Sequence, residues 1–145
     1  MPDVFTAEKR SQVMSCIRAR GNRNTELRLV SILRAFRIGG WRRNARVFGK
    51  PDFVFPREKL AVFVDGCFWH RHKGCRFAYV PKSRLIFWQR KFENNVTRDR
   101  IVTRALRHRG WKVLRIWECQ LRCPNWPKVA RRIRLARKTR SGRLL

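Results

Sequence analysis

Five apolar residues in unbroken succession, Leu-Ala-Val-Phe-Val at 60–64, constrain this chain more than any other stretch. A strand sends successive side chains to opposite faces, so a run without polar alternation needs apolar cover on both. The rest of the sequence offers that cover. Asn24 or Thr25 can cap a helix reaching about Phe36, because Leu27, Val30, Leu33 and Phe36 recur at helical spacing and Glu26 suits the positive end of the helix dipole. Gly39-Gly40 stops it. Strands are predicted at 41–48, 53–55 and 60–64, loop sequence extends to Ser83, and a long helix covers 84–108 up to Gly110. The alternation Trp-Lys-Val-Leu-Arg-Ile-Trp marks a further strand at 111–117. Pro124 and Pro127 bracket a turn into a last, basic helix that frays into the tail. The order α–β–β–β–α–β–α predicts an α/β fold, a mixed β-sheet flanked by helices on both faces. With 145 residues and no internal repeat, one domain, 1–145, is expected around one core.

Charge narrows the partner. The chain carries 37 Lys+Arg against 9 Asp+Glu, a formal net charge of +28. Such a field draws a protein to a polyanion, and a basic set dominated by arginine favours bidentate phosphate contacts. Basic segments at the two ends, 1–20 and 131–145, add to it; the first is expected to contact DNA. Six Trp and ten Phe supply faces on which bases can stack. Charge points to nucleic acid and assigns no reaction. No apolar window of about 18 residues could span a membrane, and the start lacks the basic flank and apolar run of a secretion signal. A cytoplasmic, reducing setting is therefore expected. There, Cys16, Cys67, Cys75, Cys119 and Cys123 read as metal ligands or buried thiols rather than as disulfides.

Cys67, His72 and Cys75 fall within nine residues, and Cys119 and Cys123 flank the end of the last strand. Zinc takes four tetrahedral ligands of these types, often a local group plus a distant one. A closed set of four leaves no position for a reacting water, so a Zn²⁺ here would brace the loop rather than catalyse. Spacing leaves both Cys119 and Cys123 open as the fourth ligand.

With nine acidic residues in the chain, each candidate carboxylate carries weight. Asp52 follows Pro51 at the start of a short strand, and Asp65 ends the central one. If those strands pair, their ends meet. A Mg²⁺ held there by oxygen ligands, a carboxylate and a strand-end carbonyl such as that of Val64, could grip a phosphodiester oxygen. His70 could take the proton of an attacking water near neutral pH. On the long helix, Lys91, Asn95, Arg98 and Asp99 share one face. That face either supports the site, with Asp99 orienting His70, or is solvated, with Asp99 offsetting nearby arginines. His108, between two arginines, reads as exposed and inert.

The motifs Gly-Lys-Pro-Asp-Phe-Val at 49–54 and Val-Phe-Val-Asp-Gly-Cys-Phe-Trp-His at 62–70 make the pattern specific. With Asn-Thr-Glu at 24–26, Asn-Val-Thr-Arg-Asp at 95–99, Gly-Trp-Lys-Val at 110–113 and Trp-Glu-Cys at 117–119, the chain resembles the very-short-patch repair (Vsr) endonucleases. These are bacterial enzymes that nick DNA beside T:G mismatches, and the matches span roughly residues 8–123. The resemblance implies a restriction-endonuclease-like fold with a structural zinc site. Asp52 would bind Mg²⁺ together with the Val64 carbonyl, and His70 would be the general base with Asp99 as its partner. Glu26 would support the water network, and Asp65 stands where family members carry a further site residue. Cys67, His72, Cys75 and Cys119 would hold the zinc, which makes Cys119 the fourth ligand. Phe68, Trp69 and Trp88 match an aromatic wedge that enters DNA at the mismatch, and Met14 matches a residue inserted from the minor groove. A wobble pair unstacks more readily than a matched pair, so insertion selects for it. Two departures stand out. His-Lys-Gly-Cys at 72–75 is one residue longer than the commonest His-x-Cys arrangement, and the charge and C-terminal tail should raise nonspecific, salt-dependent DNA affinity.

The function so implied is a Mg²⁺-dependent endonuclease that nicks one strand of double-stranded DNA next to a T:G mismatch, leaving a 5′-phosphate and a 3′-hydroxyl to start very short patch repair. It is expected to work as a monomer, with mismatch-repair proteins as partners by family analogy. Two other readings are a homing or defence nuclease of the same build without mismatch specificity, and a zinc-braced nucleic-acid-binding module with no activity.

Overall fold

The computed structural model describes residues 25–122 and 125–138. Met14, Cys16 and Cys123, the basic segment 1–20 and residues 139–145 of the tail lie outside them. Three helices, α1 (Glu26–Ala35), α2 (Leu85–His108) and α3 (Trp126–Lys138), surround four strands, β1 (Arg42–Arg43), β2 (Phe53–Phe55), β3 (Leu60–Asp65) and β4 (Lys112–Trp117). The sheet order is β1-β2-β3-β4. β1/β2 and β2/β3 pair antiparallel and β3/β4 parallel, so the sheet is mixed. The parallel pair needs a crossover, and α2 supplies it.

β3 explains the two-sided architecture. Leu60, Val62 and the half-buried Val64 join α1 and α3 residues such as Leu29, Leu33, Val129 and Ile133 on one face. Ala61 and Phe63 join Val102 and Leu106 of α2 on the other. β4 divides the same way, with Leu114 and Ile116 on the first face and Val113, with Trp111 just before the strand, on the second. Each fully buried Leu, Val or Phe contributes about 1.5–3 kcal/mol, so both layers are needed to hold the strand.

Pattern and structure differ most at 41–48. The expected strand shrinks to Arg42–Arg43, because Asn44 takes a left-handed φ of 56° and the chain turns. Val47 N then donates to the Ala45 carbonyl at 2.9 Å, and Lys50 N to that of Val47 at 3.0 Å. Gly49, at φ +79°, sits where a Cβ would lie 2.3 Å from Val102 Cγ1, so only glycine fits against α2. This turn delivers Pro51 and Asp52 to the start of β2. Short 3-10 turns at Pro56–Glu58 and Glu118–Leu121 complete the trace.

α2 ends as its glycine predicts. Gly110, at φ +85°, donates to Arg107 O at 3.0 Å while Trp111 N closes on Leu106 O at 2.9 Å. Residues 131–138, grouped by composition with the basic tail, belong to α3, which buries Val129, Ala130, Ile133 and Ala136 along one face. The buried Lys112 donates to the Ala136 and Arg137 carbonyls at 2.8 and 3.2 Å, a cation at the negative end of α3. No helix among the described residues is long and apolar enough to cross a membrane.

Candidate active site

The β2/β3 register sets Phe53 opposite Val62, which brings Asp52 to the C-terminal end of β3. There Asp52 Oδ2 accepts from Val64 N at 2.7 Å. Glu26, in the first turn of α1, lies beside it and accepts from Arg43 Nη2 at 2.6 Å. Burial pushes the Asp52 carboxyl up to about 7; the Val64 hydrogen bond opposes this, and the neighbouring carboxylates of Glu26 and Asp65 add to it. A buried carboxylate in acidic company takes up either a proton or a cation.

A second cluster forms on the α2 side of the same strand end. Asp65, the odd-numbered continuation of Ala61 and Phe63, faces α2 and is buried. His70 Nδ1 lies 2.6 Å from Asp99 Oδ2 and 4.0 Å from Asp65 Oδ1. Burial works against the imidazolium, but the hydrogen bond to Asp99 and the charges of Asp65 and Asp99 outweigh it, so His70 titrates above its ordinary value. Arg115, from β4, donates through Nη1 to both Asp65 oxygens at 3.1 Å and through Nη2 to the Asp99 carbonyl at 3.1 Å. Its Nε and Nη2 also reach Thr103 Oγ1 at 3.2 and 3.0 Å. Burial still raises Asp65 above the usual carboxylate range despite Arg115 and His70. A cleft of about 740 Å³ opens beside Asp65, His70 and Asp99, walled by Arg100, Arg104 and Arg107. Its cationic wall suits a phosphate chain.

Between the strand and α2 runs the turn that carries the remaining candidates. His70 N donates to Gly66 O at 3.0 Å, His72 N to Cys67 O at 3.1 Å and Cys75 N to His72 O at 3.2 Å. Asn95 Nδ2 donates to the Trp69 carbonyl at 3.1 Å, tying the turn to α2. Arg71 donates to the carbonyls of Phe68, Tyr79 and Ala78 at 3.2, 3.1 and 2.7 Å and lies 4.0 Å from the Phe92 ring centre. These turns gather Cys67, His72 and Cys75 with Cys119, their ligand atoms within 4.8 Å of one another. The His72 ring stacks on Trp117 at 4.2 Å. Burial pushes the Cys67 thiol up to about 12, with neighbouring thiols adding to the cost of ionising it, and Cys119 is raised as well. A metal cation is what such a group could hold.

The aromatic candidates form one cluster. Phe68 packs on Trp69, Tyr79, Trp88 and Phe92 with ring centres 5.1 to 5.5 Å apart. Phe68 and Trp69 are half-buried. Trp88 is only 6% exposed, so it forms the floor of the cluster rather than its tip.

Asp52, Glu26 and Val64 meet at one side of the strand end, Asp65, His70 and Asp99 at the other, and the three cysteines with His72 behind the turn. Asp99 faces His70, whereas Arg98 on the same helix is exposed and Lys91 sits 6.0 Å from the Trp69 ring centre. His108 is exposed and lines the cleft. Arg71, Thr103 and Arg115 went unread in the sequence. Arg115 alone left a signal: it is a cation on the α2-facing row of β4, between Val113 and Trp117.

Comparison with known proteins bears on this arrangement. The family profile described as DNA mismatch endonuclease Vsr matches residues 2–76. The DNA mismatch endonuclease Vsr of Escherichia coli is 40% identical over 126 residues, covering 84% of this chain and 77% of the relative. The Type II nicking enzyme V.XorIIP of Xanthomonas oryzae is 39% identical over 121 residues, 83% of this chain and 88% of the relative. Another such enzyme, V.NmeDIP of Neisseria meningitidis, is 35% identical over 140 residues, 97% and 93% of the two chains. Matched across most of its length by a DNA mismatch endonuclease and by nicking enzymes, the chain belongs to the DNA mismatch endonuclease Vsr family and is a hydrolytic endonuclease acting on DNA.

Proposed function

We propose that this nuclease domain is a Mg²⁺-dependent endonuclease that nicks one strand of duplex DNA beside a T:G mismatch. The observation that carries the reading is the placement of the Asp52 carboxylate and the His70–Asp99 pair at one strand end. Asp52 suits Mg²⁺ because its buried oxygens, beside Glu26, are stabilised by a hard cation. Asp52 and the Val64 carbonyl would hold the ion, with Glu26 supporting the water around it. Bound there, it would polarise a phosphodiester oxygen and offset charge in the transition state. Asp99 holds His70 at Nδ1 and leaves Nε2 for a water. His70 takes the proton as the water oxygen attacks phosphorus in line. The bond to the 3′-oxygen breaks and that oxygen takes a proton from solvent water, leaving a 3′-hydroxyl and a 5′-phosphate. One such site cuts one strand, so a monomer suffices, and mismatch-repair proteins are the partners that family analogy suggests.

Cys67, His72, Cys75 and Cys119 suit a structural Zn²⁺. Tetrahedral zinc places S and N ligand atoms roughly 3.5 Å apart, and the Cys67 and Cys119 sulfurs lie 3.6 and 3.4 Å from His72 Nδ1. The extra residue at 72–75 is absorbed in the turn that closes on the His72 carbonyl. Phe68 and Trp69, with Trp88 beneath them, would form the wedge that unstacks the mismatch.

A second reading, nicking without mismatch specificity, draws support from relatives described only as Type II nicking enzymes. A nicking assay on T:G and matched duplexes, with and without Mg²⁺, separates the two. Mg²⁺-dependent nicks confined to the T:G duplex support the first, and equal cutting of both supports the second. Binding without any cutting by metal-loaded protein would sink both.

A further inference from the structure

Arg115 has no place in the reaction as written, yet no side chain at the site is more fully engaged. Its three guanidinium nitrogens reach Asp65, the Asp99 carbonyl and Thr103 at 3.0 to 3.2 Å. Nη1 also lies 3.7 Å from Asp99 Oδ1. The group packs 4.4 Å over the Phe63 ring, with its side chain 20% exposed. Asp99 and Thr103 stand one turn apart on α2, while Asp65 and Arg115 belong to the paired strands β3 and β4. The guanidinium therefore locks the helix bearing Asp99 to the strand end bearing the site.

Its charge matters as much as its reach. Asp65, His70 and Asp99 offer three groups within 4.8 Å of one another. Two carboxylates this close repel unless a cation lies between them, and Nη1, at 3.1 and 3.7 Å from the two, is that cation. Without it, Asp99 would swing away from Asp65 and lose its line to His70 Nδ1. A lysine could restore the charge but not the fork that grips Asp65 and α2 together.

We propose that Arg115 is a positioning residue for the nicking reaction: its guanidinium, fixed by Thr103, holds Asp65 and Asp99 together and so keeps Asp99 against His70 Nδ1. The inference rests on the reading of His70 as the base. It is tested with Arg115→Met, Arg115→Lys and Thr103→Val, the last keeping the charge and the side-chain volume should Arg115→Met fail to fold. Three quantities are read: the single-turnover nicking rate on a mismatched duplex, the Kd for the same duplex, and the ¹⁵N resonances of His70.

Arg115→Met should lower the rate about 10- to 100-fold, the range for partners that orient a reacting group, with Kd within about twofold of the parent. Arg115→Lys should fall between, and Thr103→Val should show the smallest loss of the same kind. In each, the His70 resonances should move from a single Nδ1–H tautomer towards a mixture, in the order of the rate loss. An unchanged rate overturns the proposal, and so does a lowered rate with His70 resonances identical to the parent. His70→Ala separates the two levels. If it abolishes nicking while Arg115→Met leaves the rate at the parent's value, only this inference fails; if it leaves nicking intact, the assignment of the base fails first.

Discussion

Two clusters share the end of β3 and the turn after it, and their members interleave along the chain. Asp65 and His70 belong to one, with Asp99 from α2; Cys67, His72 and Cys75 belong to the other, with Cys119 from beyond β4. They solve the same problem, concentrated ionisable groups in a buried place, in opposite ways. In the thiol cluster burial makes ionisation costly, with Cys67 pushed up to about 12 and Cys119 raised as well, and a bound cation would offset that cost. The carboxylate cluster carries its own cation, Arg115, set between Asp65 and Asp99. The contrast fits the proposed division, stability for the first cluster and chemistry for the second. A scaffold can depend on a bound ion, whereas a base must be oriented before its substrate arrives.

The sharpest break of that comparison is His70→Ala. It should lower the nicking rate about 10²- to 10⁴-fold, the usual contribution of a general base, while the Kd for DNA and the melting temperature stay near the parent. A binding loss as large as the rate loss would move His70 to the DNA interface. Cys119→Ser should do the reverse. Losing one ligand of a structural site should lower the melting temperature by about 10 °C or more, and stripping zinc from the parent with a chelator should match it. A melting curve indifferent to both would make the four groups ordinary buried thiols and an imidazole.

Asp52 offers a smaller, signed effect. Its folded pKa is about 7 against 3.8 unfolded, so between those values the folded chain holds a proton the unfolded chain has lost. This group's contribution to stability therefore falls as pH rises from 4 to 7 and is least favourable above that. Asp52→Asn should raise the melting temperature by a few degrees at pH 8, with the gain vanishing towards pH 4, while nicking is lost. A destabilised variant at pH 8 would mean that burial of the charge costs nothing in the fold. The smallest effect lies outside both clusters, at Glu58. Burial opposes its ionisation, but the hydrogen bond and charge of Arg137 prevail and lower its pKa. Glu58→Gln should cost about 0.2–1 kcal/mol near neutral pH. Because the folded pKa is the lower one, that contribution is present above the ordinary carboxylate value and disappears as pH falls through the folded one. Denaturant titrations at two pH values would check it.

Much of this was legible in the chain. Residues 60–64 announced a strand covered on both faces, and Gly110 marked the end of α2, because side-chain period and glycine conformation are local properties. The stretch at 41–48 misled for a local reason too. Its apolar residues suit a strand, but Asn44 and the docking of Gly49 against Val102 bend the chain there. Asp99 could be read two ways on its helix face, and only its distance to His70 separates them.

By itself, the sequence determined the element order, the two-layered sheet and the residue types able to bind metal and move a proton. These follow from patterns repeating over two to four residues and from motifs contained in single turns. Tertiary structure alone decided who meets whom. His70 and Asp99 are 29 residues apart, and Arg115 stands 50 residues beyond Asp65. No local periodicity encodes such pairings. They arise when β3 and β4 align in parallel under α2 and set Arg115 between the two carboxylates.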